Sequence, residues 1–389
     1  MTRKHVRVGV ETLLEDANKL GSARIGLICN QASVNHQFHH AADLFHEHPG
    51  MNLRALFGPQ HGIRGDVQDN MIETEHTIDR ETGLPIHSLY SETREPTEAM
   101  LQDVDVLVFD MQDVGCRIYT FAYTMANCMK AALKFGKKVI VCDRPNPING
   151  IQVAGNVLEE PSFVGLFATP TRHGMTLGEL ARLFNDHFKI GCDLEVIKME
   201  GWERQYWQDE TDTPWVMPSP NIPTVDTAVV FPGAVHFEGT QLSEGRGTTR
   251  PFELIGAPYI NAEEYSRHLN SLDLPGVFFR SCIFRPTFQK HGGISCGGVQ
   301  IHVIDRSEFE PVSTGVAMVK AAYDLYSSEF RWKEPPYEYE YERNPFDVIA
   351  GTSSIREGIE RGDSLAEIQK GWVGPLENFK LIRDQYLLY

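Results

Sequence analysis

The sequence lacks any apolar stretch able to cross a bilayer. Every such run is broken by charge well short of the ~20 residues that a spanning helix needs, so no membrane partner is expected. The basic start, Met1-Thr2-Arg3-Lys4-His5-Val6-Arg7, has the charge of a secretory leader but not its apolar core, because Glu11, Glu15 and Asp16 interrupt the next stretch. A cytoplasmic location is the expectation. No Cys-x-x-Cys pair occurs. The seven cysteines, at 29, 116, 128, 142, 192, 282 and 296, are scattered and odd in number, which suits free buried thiols in a reducing compartment. Positive charge is also in deficit: a net charge of −17 would repel the phosphates of a nucleic acid. Neither G-x-G-x-x-G after a strand nor G-x-x-x-x-G-K-[ST] is present, so no dinucleotide or nucleoside triphosphate cofactor is expected. No metal is expected either. His36, His39, His40, His46 and His48 read as a solvated helix face, and Cys282, His291, Cys296 and His302 match no standard zinc spacing. Cys296, beside glycine turns, reads as a packed thiol before it reads as a nucleophile. There is no internal repeat and no low-complexity tract.

What is present is an ordinary globular composition, 41% hydrophobic and 23% charged. At 389 residues, two domains are the default. Strand candidates are Arg24–Cys29, Asn52–Phe57, Val104–Asp110, Lys138–Cys142 and Asp193–Lys198. Helix candidates between them are Ala41–His46, Pro96–Gln102 and Tyr119–Phe135, the last ended by Gly136. Thr176 and Glu179 form a capping box for a helix through Phe188. This alternation predicts an α/β fold: a Rossmann-like, doubly wound parallel sheet domain over residues 1–226, then a second, smaller α/β domain over 227–389. The proline-rich Pro214–Thr224 is read as the link. In the second domain, strands are expected at Ala228–Phe231, Gly276–Phe284 and Val299–Ile304. Helices are expected at Ala262–Leu272, Val312–Ser327, Ser353–Arg361, Leu365–Gly371 and Glu377–Leu388, with a capping box at Ser364 and Glu367.

Open parallel sheets bind ligands beyond the carboxyl ends of their strands. Polar residues collect there: Asn30 and Gln31, then Gln60, His61 and Arg64, then Asp110, Asp113 and Arg117, then Asp143, Arg144 and Asn146. Asp143-Arg144 alternatively reads as an ion pair, and Asp113 as a helix cap. Arg172-His173 precedes the capped helix at Thr176 and reads as an anion contact or a loop salt bridge. The segment Phe237–Glu253 carries Glu238, Glu244, Arg246, Arg250 and three glycines. It is a poor helix and a poor core strand. It reads as a polar loop that aims carboxylates and guanidiniums at a small ligand.

Five segments in one order then become recognisable: Gly58–Gly65, Val108–Gly115, Asp143–Pro147, Pro218–Thr224 and Glu238–Glu253. Together they resemble the NamZ-like family of exo-β-N-acetylmuramidases over nearly the whole chain. The resemblance implies an active site in the cleft between two domains and release of N-acetylmuramic acid from non-reducing ends of peptidoglycan fragments. The lactyl carboxylate of that sugar suits an arginine-bearing pocket. The expected partner is a small carbohydrate or muropeptide, with a homodimer allowed. Glu238 or Glu244 is expected to face Asp110 or Asp113 as a catalytic pair. A spacing of about 5–5.5 Å would mean retention and about 6.5–9.5 Å inversion. Gln60, His61, Arg64, Arg117, Asp143, Arg144, Asn146, His173, Arg246 and Arg250 are the expected substrate contacts. Two positions depart from the family pattern: Gln60 and Ala154 stand where a glutamate is usual. An amide cannot serve as an acid. Asp66, Asp69, Glu73, Glu238 and Glu244 are the carboxylates available in its place, and the alternative function is a non-catalytic binder or sensor of wall sugars.

Overall fold

A computed structural model describes residues 3–68 and 71–389. In the first half, short runs of aliphatic residues become strands: Arg24–Cys29 (β1), Asn52–Gly58 (β2), Thr77–Ile78 (β3), Pro85–Ser88 (β4), Val106–Asp110 (β5), Lys138–Cys142 (β6), Ala154–Val157 (β7), Pro170–Arg172 (β8) and Asp193–Ile197 (β9). Seven of them form one sheet in the order β3-β4-β2-β1-β5-β6-β9. All neighbours are parallel except the edge strand β3. β7 and β8 pair separately. Because the parallel sheet is covered on both faces, its strands alternate between two cores rather than between core and water. Leu27, Cys29 and Val108 pack with helices Gly9–Glu15 (α1) and Ala41–Glu47 (α2). Ile28, Leu107 and Phe109 pack with helices Phe121–Phe135 (α3) and Leu177–Asp186 (α4). The doubly wound sheet is thus in place. Gly136 ends α3 in the left-handed conformation, φ 64, and Thr176 with Glu179 caps α4.

The second half holds helices Val225–Ala234 (α5), Ala262–Ser271 (α6), Pro311–Leu325 (α7), Pro345–Ala350 (α8), Ser354–Arg361 (α9) and Leu365–Arg383 (α10). Strands Leu254–Ala257 (β10), Val277–Phe284 (β11) and Cys296–Val303 (β12) form an antiparallel sheet in the order β10-β12-β11.

Three local expectations are corrected. Ala228–Phe231 is not a strand but part of α5, which Thr224 caps by accepting from the Thr227 N–H. Every residue from Thr227 to Ala234 is buried, so the helix has no polar face and no helical period to read. Pro96–Gln102 closes only turns, such as Leu101 N–H to Glu98 O at 3.1 Å, and too few bonds succeed them to sustain a helix. Leu365–Gly371 and Glu377–Leu388 are joined in the single helix α10, which runs through Pro375 and stops at Arg383. Pro375 and Gly371, whose carbonyl loses its partner, are both exposed, so water can satisfy that carbonyl.

Candidate active site

The carboxyl end of the large sheet meets the second half at a narrow cleft partly open to solvent. Gln60 and His61 reach it from the turn after β2. Tyr119 and Thr120 reach it from the start of α3, after β5. Glu238 comes from the 3-10 turn that continues α5, Arg246 from the loop behind it, and Tyr337 and Glu338 from the stretch before α8. Ser219 and Asn221 complete the polar lining.

Two glutamates in this cleft have unlike partners. Glu238 Oε1 lies 2.5 Å from Arg246 Nη2, and its Oε2 accepts the Tyr337 hydroxyl at 2.7 Å. Behind them Arg246 Nε is 3.5 Å from Glu244, and Lys290 Nζ donates to Glu244 at 2.8 Å. This buried row alternates two cations with two anions. Burial works against the Glu244 carboxylate, but Lys290 and Arg246 outweigh it and hold it below the usual range. Lys290 also donates to the carbonyls of Phe237 (2.7 Å) and Leu242 (3.1 Å), which fixes the loop carrying Glu238.

The hydrogen-bond partners of Glu338 are neutral. Its Oε2 accepts the Tyr90 hydroxyl at 2.7 Å and its Oε1 accepts the Gln60 amide at 3.1 Å. Gln60 in turn accepts the Thr120 hydroxyl at 2.8 Å. Burial pushes the Glu338 carboxyl above the ordinary range, and the nearby Glu238 charge adds to that, against the opposing hydrogen bonds from Tyr90 and Gln60. A buried carboxyl group pushed upward in this way is a candidate for the general acid. Glu338 and Tyr339 reach this position on left-handed backbone, φ 45 and 66. Non-glycine residues adopt it at a cost, and such strain gathers at functional sites.

Of the residues expected from the sequence, Gln60, His61, Glu238 and Arg246 line the cleft, and Glu244 stands behind Arg246. The rest are employed elsewhere. Asp110 does not face Glu238: it is fully buried in a two-pronged pair with Arg144, at 2.6 and 2.8 Å, and Arg144 also donates to Val34 O at 2.9 Å. Asp113 accepts the Gly115 N–H at 2.6 Å and lies 3.9 Å from His173. Burial pushes Asp113 up to about 7 and His173 down to about 3. Asp143 caps α4 through Thr176 Oγ1 (2.7 Å) and Gly178 N–H (2.8 Å), and accepts the hydroxyl of Tyr389 at 2.8 Å. Its ion pair with Arg144 is not made; Asp110 takes that guanidinium. Asn146 donates to Met175 O at 3.0 Å and accepts from Ile148 N–H at 3.1 Å. Arg117 donates to Ala350 O at 2.9 Å at the end of α8. Arg250 points outward to Glu253 at 3.0 Å. Arg64 pairs with Asp79 at 2.8 Å and lines a separate groove with Asp66 and Glu73. Asp69 lies outside the described residues. The strand-end rule points to the edge where this cleft lies; it does not say which side chains there are consumed by one another.

Glu338, Tyr90 that donates to it, and Tyr337 that donates to Glu238 are missed by sequence reasoning. The available signal was the alternation Tyr337-Glu338-Tyr339-Glu340-Tyr341-Glu342. Ser219 and Asn221 belong to the Pro218–Thr224 segment, which the sequence marks as a family segment and as part of the link but not as a source of site residues. His36 is not on a helix face either: α2 begins at Ala41, with His40 as its cap. All seven cysteines are free, and all but Cys282 are buried.

Residues 25–226 match the family model described as exo-beta-N-acetylmuramidase NamZ, N-terminal, and residues 229–389 match its C-terminal counterpart. The chain belongs to the NamZ family. It is 48% identical over 387 residues to the peptidoglycan beta-N-acetylmuramidase NamZ of Bacillus subtilis (strain 168), covering 99% of this chain and 91% of that one. A solved structure of a DUF1343 family protein from Bacteroides fragilis NCTC 9343 superposes with a TM-score of 0.91 at 35% identity, over the full length of both chains. A second DUF1343 protein from that organism gives 0.78 at 29% identity, over 99% of each chain. This NamZ family chain therefore shares its whole architecture with those proteins, the mostly parallel sheet and the second domain included.

Proposed function

We propose that the protein is a glycoside hydrolase that releases N-acetylmuramic acid, or a closely related amino sugar, from the non-reducing ends of peptidoglycan fragments. Membership of the NamZ family and the near full-length match to a peptidoglycan beta-N-acetylmuramidase support this reading. The observation that carries the mechanism is the pair of carboxyl groups, Glu338 and Glu238, in one cleft with different partners. Glu338, whose carboxyl burial pushes above the ordinary range, serves as the general acid toward the leaving oxygen. Glu238, oriented by Arg246 and Tyr337, serves as the carboxylate that assists attack at the anomeric carbon. Arg246, His61 and Asn221 are the donors offered to the lactyl carboxylate and acetamido group. Asp110, Asp113, Asp143 and Arg144 position the strand ends.

The binder reading rested on Gln60. Glu338, hydrogen-bonded to that amide, supplies the acid that position 60 lacks, so the hydrolase reading is favoured. Division of the chain at residues 226 and 227 enters the same proposal, with the cleft drawing on both sides of it. So does work on imported wall fragments in the cytoplasm; among the described residues no helix is long and apolar enough to cross a membrane.

The test is product analysis with defined muramic-acid disaccharides and a nitrophenyl muramic-acid glycoside. The natural protein is expected to release the free sugar. Glu338→Gln should lose about 10²–10⁴-fold on the disaccharide and much less on the nitrophenyl glycoside, whose leaving group needs no proton. Equal losses on both substrates, or a near-normal disaccharide rate, would remove Glu338 as the acid. Binding without any product would restore the sensor reading.

A further inference from the structure

A second group of chemistry-bearing side chains shares no residue with the cleft. His5 lies before α1, His36 in the loop between β1 and α2, and Asp212 in the loop after β9. The backbone draws them together: Lys4 N–H donates to Glu210 O at 2.7 Å, Asp212 N–H to Lys4 O at 2.9 Å, and Val6 N–H to Asp212 Oδ1 at 2.9 Å. His5 Nδ1 is then 2.7 Å from Asp212 Oδ2, and His36 Nε2 is 3.1 Å from Asp212 Oδ1. One nitrogen or oxygen from each of the three residues lies within 4.8 Å of the others.

The surroundings of His36 add an independent feature. Its Nδ1 faces the Glu11 carboxylate at 2.9 and 3.0 Å. Glu11 is itself held by the N–H groups of Val8 (3.1 Å) and His36 (3.2 Å) at the first turn of α1. A carboxylate on Nδ1 keeps the proton there and turns Nε2 into the ligand atom, the outer-shell arrangement that metal-binding histidines favour. Two imidazoles and one carboxylate suit borderline divalent transition ions; calcium and magnesium prefer all-oxygen sets. Ligand bonds of about 2.0–2.2 Å put neighbouring ligands of a tetrahedral ion roughly 3.3–3.6 Å apart, so the two imidazole–Asp212 pairs need to open only slightly. His5 is exposed, which allows entry of the ion and a water as fourth ligand.

We propose that His5, His36 and Asp212, with Glu11 behind His36, bind a zinc-class divalent ion that staples the segment before α1 to the loops at 36 and 212. The experiment uses the full chain, treated with chelator and desalted, titrated at neutral pH with zinc, cobalt and magnesium. One equivalent of zinc should bind and raise the melting temperature, and magnesium should do neither. Cobalt should give the intense visible bands of a tetrahedral site. His36→Ala and Asp212→Ala should lose the site, and so should His5→Ala, an exposed position whose change leaves the core intact. Glu11→Gln should keep the site but weaken it about 10–100-fold. Absence of zinc binding to the natural protein would overturn the proposal. So would binding that survives unchanged in His5→Ala and His36→Ala, which would leave the cluster as histidines paired with carboxylates.

Discussion

At the scale of single residues, the substitution at position 60 and the carboxyl at 338 explain each other. The Gln60 amide donates to Glu338 at 3.1 Å, so a glutamate at 60 would put two carboxyl groups in contact. Like charges that close cannot both ionise easily, and the pair keeps a proton to higher pH. Gln60→Glu is therefore expected to keep activity and to move the alkaline limb of the pH–rate profile upward by about one unit or more. A profile measured on both proteins decides it: an unmoved limb removes the coupling, and activity in the variant alone would make the natural protein a binder. Position 60 was legible as a departure because a motif surrounds it. Glu338 was not, because Glu338 and Glu340 each sit between two tyrosines and look alike in sequence. Only the left-handed backbone at 338 and 339 chooses which of them is buried.

At the scale of elements, α5 and α7 cross at two glycines. A methyl on Gly233 would sit 1.9 Å from the Pro311 carbonyl oxygen, and one on Gly315 would sit 2.3 Å from that of Gly233. Elsewhere in a helix, Gly→Ala stabilises by up to about 1 kcal/mol. Here the clash is with backbone, so Gly233→Ala should instead destabilise by about 1–3 kcal/mol, as overpacking does. Urea unfolding gives the sign directly, and a stabilised variant would mean that the two helices can part freely. Activity should fall as well, because α5 leads into the turn that carries Glu238. Helix boundaries set by local chemistry were legible: Gly136, the Thr176–Glu179 box and the Ser364–Glu367 box are all where the sequence places them. α5 was not, since a helix buried all round presents the same apolar, β-branched run as a core strand.

At the scale of the whole molecule, buried ionisable groups tie stability to pH. Burial pushes His236 down to about 4, with its Nδ1 donating to Gly233 O at 3.0 Å. The unfolded chain takes up this proton near pH 6.5 and the folded chain does not until about 4, so the stability is full above 6.5 and is lost as pH falls through that window. Between pH 6.5 and 5 the loss from this residue should be about 2 kcal/mol. Asp113 and Asp143, pushed up to about 7 by burial, act in the opposite sense, adding stability as pH falls from 7 towards 4. The measurement is thus a difference: urea unfolding at several pH values, natural protein against His236→Asn. Equal slopes in the two proteins would show that His236 does not titrate on unfolding. The sequence alone determined the alternating elements, the doubly wound sheet and the sheet edge along which this cleft lies. Each of those comes from periodicity, turn residues and strand ends, which are local. Only the tertiary structure decided which charged groups there stay available. Asp110 meets Arg144 across 34 positions, and Gln60 meets Glu338 across 278. Buried charges must find partners or hold their protons, and which of these happens depends on neighbours that no stretch of sequence contains.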